Sequence, residues 1–211
     1  MNETSTMKKH VLSRPLLIAA CLSLMSGTCV LAADTEALVL KLPLPTLKGT
    51  PEDLPKGPNI DAPSDEPPTP LQVPKGVVNV AAGKPVTSSV SPFFGDLKQI
   101  TDGDKEAIDR DAVEFKKGVQ WVQVDLGAPF EIHAVAIWHD HRAIQSIRDV
   151  VIQVSDDPEF KTGVATIYNN DTDNSAGFGV GTDREYFEMK FGRAIPVKGV
   201  KARYLRSHTR G

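Results

Sequence analysis

The chain is poor in cysteine, and its two cysteines, Cys21 and Cys29, both lie in an apolar N-terminal segment. If that segment is removed during export, the mature protein has no cysteine. A protein without cysteine has no disulfide, no thiol nucleophile, no zinc–thiolate site and no C-x-x-C-H haem attachment. We therefore expect a fold that is held by its hydrophobic core alone.

An excess of positive charge is also missing, since 24 Lys and Arg against 27 Asp and Glu give a formal net charge of -3. Proteins that bind nucleic acids usually have a basic face, so this class of partner is excluded. From Arg184 onwards, however, eight Lys or Arg stand against Glu185 and Glu188. This stretch fits a solvated strand edge, where Lys discourages edge pairing. A surface for an acidic polysaccharide is the alternative.

The familiar catalytic motifs are missing as well. The sequence has no G-x-S-x-G, no H-E-x-x-H and no glycine-rich phosphate loop before a helix. Adjacent carboxylates such as Asp156 and Asp157 fall in a turn-forming DDPEF stretch and need no acid–base role. We predict that the protein is not an enzyme.

The N-terminus has the pattern of a secretory signal peptide. Basic residues such as Lys8 and Arg14 precede an apolar run from Leu16 to Ala33, and Val30-Leu31-Ala32 supplies a small-residue cleavage pattern. We expect residues 1–33 to be removed and the protein to be secreted or held at the cell surface, in a bacterial-type periplasmic or extracellular location. The alternatives are an uncleaved membrane anchor and a lipoprotein modified at Cys21.

Residues 34–76 contain ten of the 16 prolines of the chain. Proline cannot donate to a β-ladder and biases its predecessor towards extended conformations, so neither helix nor sheet is favoured. We predict a disordered Pro-rich linker that acts as a spacer. A ligand for proline-recognition domains is the alternative.

From Val77 to Gly211 short apolar or alternating runs are separated by Gly, Pro, Asn and Asp, with no helical period. This pattern predicts an all-β sandwich. The candidate strands are Val77 to Val80, Gln120 to Leu126, Ile132 to Trp138, Val150 to Val154, Val164 to Tyr168, Glu185 to Phe191 and Val200 to Leu205.

The stretch from Trp121 to Arg142 organises this domain. Its first run alternates apolar and polar residues up to Leu126, which is typical of a strand with one buried face. Gly127 and Pro129 then predict a turn. The second run is apolar on both alternations, as in a strand covered on both sides, and it ends in a polar cluster where binding chemistry is common.

Six motifs in this order resemble the discoidin, or coagulation-factor type C, domain family. They are NVAAGKPVTSS, ITDGD, WVQVDLG, VAIW, VVIQVSDD and KARYLR, between Asn79 and Arg206. The resemblance implies a galactose-binding-like jelly-roll sandwich, and many bacterial members are carbohydrate-binding modules. The family normally closes with one more strand that carries a Glu near its start. We therefore expect that residues 77–211 lack the last strand.

The resemblance also implies a structural Ca²⁺ in the loop around Asp102-Gly103-Asp104. Carried over by position, Gln99 and Asp104 offer carbonyl oxygens, Asp102 its carboxylate, and Ala107, where the family has Thr, only a carbonyl. A plain type I turn favoured by Asp and Gly is the alternative.

A second loop, from Asn170 to Gly177, has Asp171, Asp173 and Ser175 at the first ligand spacings of an EF-hand. The required Gly falls one residue late and Thr182 stands at position twelve, so an Asx-rich hairpin loop is favoured. Asn170 is still a candidate for lining a binding surface.

His139, His141 and Arg142 follow the buried second run, and planar donors of this kind hydrogen-bond sugar hydroxyls. A transition metal between the two imidazoles is the alternative, but no third ligand is evident. Phe93, next to Phe94 on a loop, is a candidate aromatic face for a sugar ring. The alternatives are a plug for the sandwich end and an apolar membrane spike, the latter disfavoured because no Lys or Arg cluster stands beside Phe93.

Together these observations predict a non-catalytic, secreted carbohydrate-binding module. Loops at one end of the sandwich bind a polysaccharide or glycan, with His139, His141, Arg142, Phe93 and Asn170 as candidate ligand-binding residues. The alternative is an adhesion or protein-interaction module attached to a larger cell-surface assembly. A metal-dependent enzyme built on His139 and His141 is a third hypothesis.

Overall fold

The computed structural model describes residues 34–46, 53–106, 112–142 and 144–210. The predicted signal peptide and Ala107 lie outside these residues. The strands are β1 Thr35–Ala37, β2 Gln72–Pro74, β3 Val86–Ser88, β4 Gln120–Ile137, β5 Ser146–Ile147, β6 Val151–Ser155, β7 Ala165–Asn169, β8 Tyr186–Phe187 and β9 Arg193–Thr209. A single turn of 3₁₀ helix, Leu97–Ile100, also occurs among the described residues. None of the helices there is long and apolar enough to cross a membrane.

A long antiparallel ribbon of β4 and β9 is the backbone of the domain. Its register runs from Gln120 opposite Thr209 to Ile137 opposite Arg193. The sequence predicts two strands separated at Gly127 and Pro129, but the structure has one strand. The turn signals produce a register shift between Asp125 and Phe130 instead, because a bulge absorbs the extra residues without ending the pairing.

The first half of the ribbon forms the centre of a five-stranded sheet with the order β3-β4-β9-β6-β7. The second half, beyond the register shift, shares the hydrophobic core with the short β5–β8 pair. This core includes Leu126 and Val135 of β4, Ile152 of β6, Tyr186 of β8 and Ile195 of β9. The all-β class and the sandwich fold predicted from the sequence are thereby confirmed.

Several strand boundaries differ from the prediction. Val77 to Val80 is not a strand, and Glu185 to Phe191 keeps only the two residues of β8. β9 continues to Thr209 although its last residues lack apolar alternation. The reason is that this end of β9 lies between two strands, with Ser207 opposite both Val122 and Ile152, so its backbone hydrogen bonds hold it whatever its side chains are.

The Pro-rich segment is not a free spacer in its described parts. β1 pairs antiparallel with β2, Val73 is 2% exposed and Pro43 is buried. The backbone N–H of Leu44 donates to the Glu106 carboxylate at 3.2 Å. The prediction of a disordered linker is therefore corrected here. Proline content argues against regular structure, but an extended backbone still offers carbonyl oxygens and side chains to distant partners.

A stacked arginine fastens the loop after β6 to the outer face of the sheet. The Arg206 guanidinium carbon lies 4.1 Å from the ring centroids of both Trp121 and Phe160. Its Nε donates to Gln123 Oε1 at 2.9 Å and its Nη2 to Pro158 O at 3.1 Å. A planar guanidinium suits this sandwich because it stacks and donates within one plane.

We expect Arg206→Ala to lower the free energy of unfolding by about 2–3 kcal/mol, since it removes two cation–π contacts and several hydrogen bonds. Arg206→Lys should recover little of this, because an ammonium does not stack as a plane. Urea denaturation checks both variants. The exposed Arg148→Ala is the matched control and should change the stability by less than about 0.5 kcal/mol. Equal losses for Arg206→Ala and Arg148→Ala contradict the structural role of the stack.

Candidate functional site

The polar cluster predicted after the buried strand lies at the far end of the β4–β9 ribbon. β4 ends at Ile137, opposite Arg193, and the chain then leaves the sheet through residues 138–142. Glu188 follows directly after β8 and approaches this exit. The ribbon end thus collects side chains from two parts of the chain that are about 50 residues apart.

His139 is oriented by Glu188. Its Nδ1 lies 2.8 Å from Glu188 Oε2, and the Glu188 side chain is fully buried while that of His139 is 36% exposed. A carboxylate only accepts hydrogen bonds, so Nδ1 carries the hydrogen and Nε2 is the ring nitrogen left for a ligand. The buried carboxylate therefore fixes both the tautomer and the direction of an accessible imidazole.

The charge of Glu188 also acts on its neighbour Tyr186. Burial first, and this negative charge second, raise the pKa of Tyr186 above its ordinary value. Tyr186 is 4% exposed. It is consequently a neutral hydroxyl across the physiological range.

Arg142 forms a fork with Asp140. Its Nε donates to Oδ1 at 2.9 Å and its Nη2 to Oδ2 at 2.6 Å, while its backbone N–H also donates to Oδ1. The hydrogen bonds from the Arg142 side chain lower the pKa of Asp140, against the opposing effect of its partial burial. Both side chains keep about a third of their surface exposed. The pair presents donor and acceptor groups to solvent beside His139.

Trp138, the first residue after β4, is held on two sides. Its Nε1–H donates to the carbonyl of Lys190 at 3.1 Å, and the Lys105 ammonium lies 5.1 Å from its ring centroid. The indole thus links the 102–106 loop to the turn before β9. It gives the ribbon end a rigid base.

Two predicted ligand-binding residues are corrected by their burial. His141 is 2% exposed, with Nδ1 3.1 Å from Thr46 Oγ1 and Nε2 3.0 Å from the Lys105 carbonyl. Asn170 is completely buried, and its side-chain amide accepts from Val150 N and donates to the Ile147 carbonyl. These side chains join backbone segments and do not face solvent. Both are therefore structural residues.

Phe93 is exposed, as predicted, and lies on the loop that follows β3. Its loop pairs with Glu114, and β3, which leads into it, runs antiparallel to the start of β4. Phe93 is 69% exposed and the Lys116 ammonium lies 5.7 Å from its ring centroid. Phe93 and His139 thus adjoin opposite ends of β4 along the chain, and the prediction that they share a site stays a prediction.

In the loop predicted to bind calcium, side-chain oxygens accept hydrogen bonds from the N–H groups of the loop's own backbone. Asp102 Oδ1 accepts from Asp104 N at 2.8 Å, Asp104 Oδ1 accepts from Glu106 N, and Gln99 Oε1 accepts from Asp96 N. These are the contacts of consecutive Asx turns and a capped helical turn. The calcium site at Gln99, Asp102 and Asp104 stays a prediction.

Asp171 and Asp173 of the second acidic loop meet Asp149, which lies between β5 and β6, and the carboxylate oxygens of the three residues lie within 4.8 Å of one another. Asp171 is completely buried, and its two oxygens accept from the backbone N–H groups of Ser175 and Ala176. The loop therefore has the hydrogen bonding expected of an Asx-rich turn.

Glu188 is the site residue that sequence reasoning missed. It lies within a run predicted as a strand, at an alternation shared with Tyr186, and both residues turn out to be buried. A carboxylate at a buried alternation position is rare unless it is paired. That signal was available in the sequence, but the pairing of Glu188 with His139, 49 residues away, was not.

The fold and the site together define a β-sandwich domain with a preorganised polar cluster at one end of its longest ribbon. Residues 99–206 match the family model described as NedA-like, galactose-binding domain, which is 108 of the 211 residues. The chain therefore belongs to this family of F5/F8 type C, galactose-binding-like domains. Comparison with curated protein sequences finds no match.

Solved structures with similarity to the chain include three bacterial modules. A fucose-binding module of Streptococcus pneumoniae is 16% identical, with a TM-score of 0.46 over 64% of this chain and 88% of that one. A CBM32 module of Clostridium perfringens, in complex with glcNAc-α-1,4-galactose, is 17% identical, with a TM-score of 0.45 over 66% and 83%. A chitosan-binding module from Paenibacillus sp. IK-5 is 21% identical, with a TM-score of 0.39 over 64% and 87%.

Proposed function

We propose that the protein is a non-catalytic carbohydrate-binding module that binds glycans at the ribbon end, with His139 and Arg142 as the principal contacts. The observation that carries this proposal is the exposed His139 imidazole held by the buried Glu188 carboxylate. An oriented ring nitrogen loses little freedom when it binds a hydroxyl. Membership of a family described as galactose-binding supports a sugar ligand.

The chemistry of the cluster suits sugar hydroxyls, each of which both donates and accepts a hydrogen bond. His139 Nε2 accepts from one hydroxyl, while the Arg142–Asp140 fork offers donors and acceptors nearby. Charge-assisted hydrogen bonds of this kind are stronger than those between neutral groups. A galactose-type ring with several adjacent hydroxyls is the ligand class that fits.

The positions of the carboxylates support binding without cleavage. Glycoside hydrolysis uses two carboxyl groups that both reach the scissile bond, one of them protonated. Glu188 is fully buried behind His139, and the lowered pKa of Asp140 makes it unsuited to donate a proton. The cluster therefore supports recognition and not hydrolysis.

Export of the protein is part of the same proposal. Its support is the signal-peptide pattern of residues 1–33 and the absence of cysteine from the rest of the chain. The mass of the exported protein checks it. A protein that keeps residues 1–33 and stays in the cytoplasm contradicts it.

A protein-interaction module is the second candidate, and the exposed apolar side chains around Phe93 favour it. Phe93 and Phe94 are 69% and 44% exposed, and Val90 and Val119 are also exposed there. Exposed aromatic side chains of this kind often mark protein contacts. In this case the domain attaches to a polypeptide of a larger cell-surface assembly.

Retention of the full chain on a panel of immobilised glycans separates the two candidates. We expect retention on galactose-containing glycans, and we expect His139→Ala to weaken it at least about tenfold, the effect of losing one good hydrogen bond with its desolvation. Phe93→Ala, on the loop beside the start of β4, is the matched control and should leave retention unchanged. The proposal fails if no glycan retains the protein, or if only Phe93→Ala reduces retention.

A further inference from the structure

Two arginines near the His139 site form hydrogen bonds and ion pairs with a segment of the same chain. Arg184 precedes β8 and Arg193 begins β9, and we call them the arginine pair. Residues 58–61, which we call the clip, lie on them. Asp61 Oδ1 accepts from Arg184 Nε at 2.5 Å, and its Oδ2 accepts from Arg193 Nη1 at 3.0 Å.

The two terminal nitrogens of Arg184 donate to neutral oxygens of the clip. Arg184 Nη1 donates to the Pro58 carbonyl and Nη2 to the Ile60 carbonyl, both at 2.7 Å. The backbone of the clip also pairs with Glu185, since Asp61 N donates to Glu185 O and Glu185 N to Asn59 O. One carboxylate thus bridges the arginine pair, and two neutral oxygens accept the remaining hydrogen bonds that Arg184 donates to the clip.

The folded domain holds the arginine pair from its own side. The Arg193 guanidinium carbon lies 4.9 Å from the ring centroid of Tyr186, a core residue. Next to Arg184, the Tyr168 hydroxyl donates to its carbonyl at 3.1 Å, which fixes the backbone there. When the clip leaves, Tyr186 therefore still holds the Arg193 guanidinium, and Tyr168 still holds the backbone from which the Arg184 side chain extends.

We propose that the arginine pair is a binding site for the carboxylate of an acidic saccharide, and that the clip occupies it as an intramolecular mimic. A hexuronate residue presents the same set of acceptors, a planar carboxylate with neutral ring and hydroxyl oxygens beside it. The inference rests on the proposed function for the saccharide nature of the ligand. It adds that the ligand carries a carboxylate.

The arginine pair extends the site of His139. Arg193 stands opposite Ile137, two residues before His139, and Glu188, which orients His139, follows Arg184 on the same short stretch. A saccharide chain that contacts His139 with hydroxyl groups is therefore in position to place an acidic unit on the arginine pair. The basic stretch beginning at Arg184 thereby gains a function.

The clip is displaceable because its ion pairs are partly exposed. The Asp61 side chain is 35% exposed, and those of Arg184 and Arg193 are 49% and 29% exposed. Such pairs contribute at most about 1 kcal/mol each. Contacts of this strength lower the apparent affinity of a competing saccharide only about tenfold, so a saccharide can displace the clip.

Acid also weakens the clip. Partial burial raises the pKa of Asp61, but the hydrogen bonds and positive charges of Arg184 and Arg193 outweigh this effect and lower the pKa overall. The clip contact is therefore complete above the ordinary pKa of 3.8 and is lost as the pH falls through the lower value of the folded state. At neutral pH the clip is charged and in place.

Calorimetric titration of the full chain with a galacturonate trimer tests the proposal. We expect Asp61→Asn to bind the trimer about tenfold more tightly than the unchanged protein, and Arg193→Gln in the Asp61→Asn background to abolish the gain. Asp53→Asn, in the same segment, is the matched control and should bind like the unchanged protein. Thermal unfolding of each variant confirms that it is folded.

Two outcomes overturn the proposal: no gain in Asp61→Asn, or a gain that persists after Arg193→Gln. A sulfated galactose trimer that binds more tightly than the galacturonate overturns the assignment to a carboxylate. The affinity for a neutral galactose trimer, compared between the unchanged protein and His139→Ala, tests the proposed function separately. If the neutral trimer does not bind but the galacturonate gain appears, the arginine pair stands and the His139 site fails.

Discussion

Replacement of Gly192 by alanine is expected to lower the free energy of unfolding by about 2–5 kcal/mol. Gly192 has a φ of +63°, and a left-handed conformation costs a non-glycine residue roughly 1–2 kcal/mol. A Cβ at this position also lies 2.5 Å from Trp138 Cε2 and 2.7 Å from the Ile137 carbonyl. Overpacking of this kind adds about 1–3 kcal/mol.

The matched control for this variant is Gly163→Ala. Gly163 has a similar φ of +60°, but a Cβ there meets nothing within 4 Å. It should therefore show the conformational cost alone, and urea denaturation measures both variants. Equal losses show that Trp138 moves aside without cost, which contradicts the rigid base that the structure gives to the ribbon end.

Acidification from pH 6.5 to pH 4 is expected to lower the stability by on the order of 3 kcal/mol through His208. Burial first, and the positive charge of Arg206 second, lower the pKa of His208 from 6.5 to about 4. The ring is 4% exposed, and its centroid lies 4.0 Å from that of Phe178. A difference of about 2.5 pH units corresponds to this energy at 1.36 kcal/mol per unit.

The sign follows from proton binding. Between pH 4 and 6.5 the unfolded chain binds a proton at His208 and the folded chain does not, so stability falls as the pH falls. Urea unfolding at several pH values measures the slope. His208→Leu keeps a side chain of similar bulk and should remove most of the slope in this window. A slope that is unchanged in His208→Leu assigns the effect to other groups.

The sheet was predictable because strand patterns are local. The alternation up to Leu126 and the apolar run from Ile132 correctly located β4, since one face of each strand must be buried. The continuity of β4 across Gly127 was not predictable. Turn residues are compatible with both a turn and a bulge, and only the partner strand β9 decides between them.

The candidate site was predictable only where its residues adjoin a strand. His139 and Arg142 follow β4 directly, and the structure leaves both partly exposed. Whether a loop residue faces solvent depends on distant partners, which is why Asn170, bonded to Ile147, was misjudged. For the same reason the contact of Asp61 with Arg184, 123 residues away, was not predictable from the sequence.

The most direct test of the account is the position of the glycan on the domain. A titration of the ¹⁵N-labelled full chain with a galactose-terminated oligosaccharide, followed by amide chemical shifts, maps it residue by residue. The account predicts that the largest changes fall on residues 138–142 and 186–189. Changes confined to residues 90–94 and 114–119, around Phe93, contradict it.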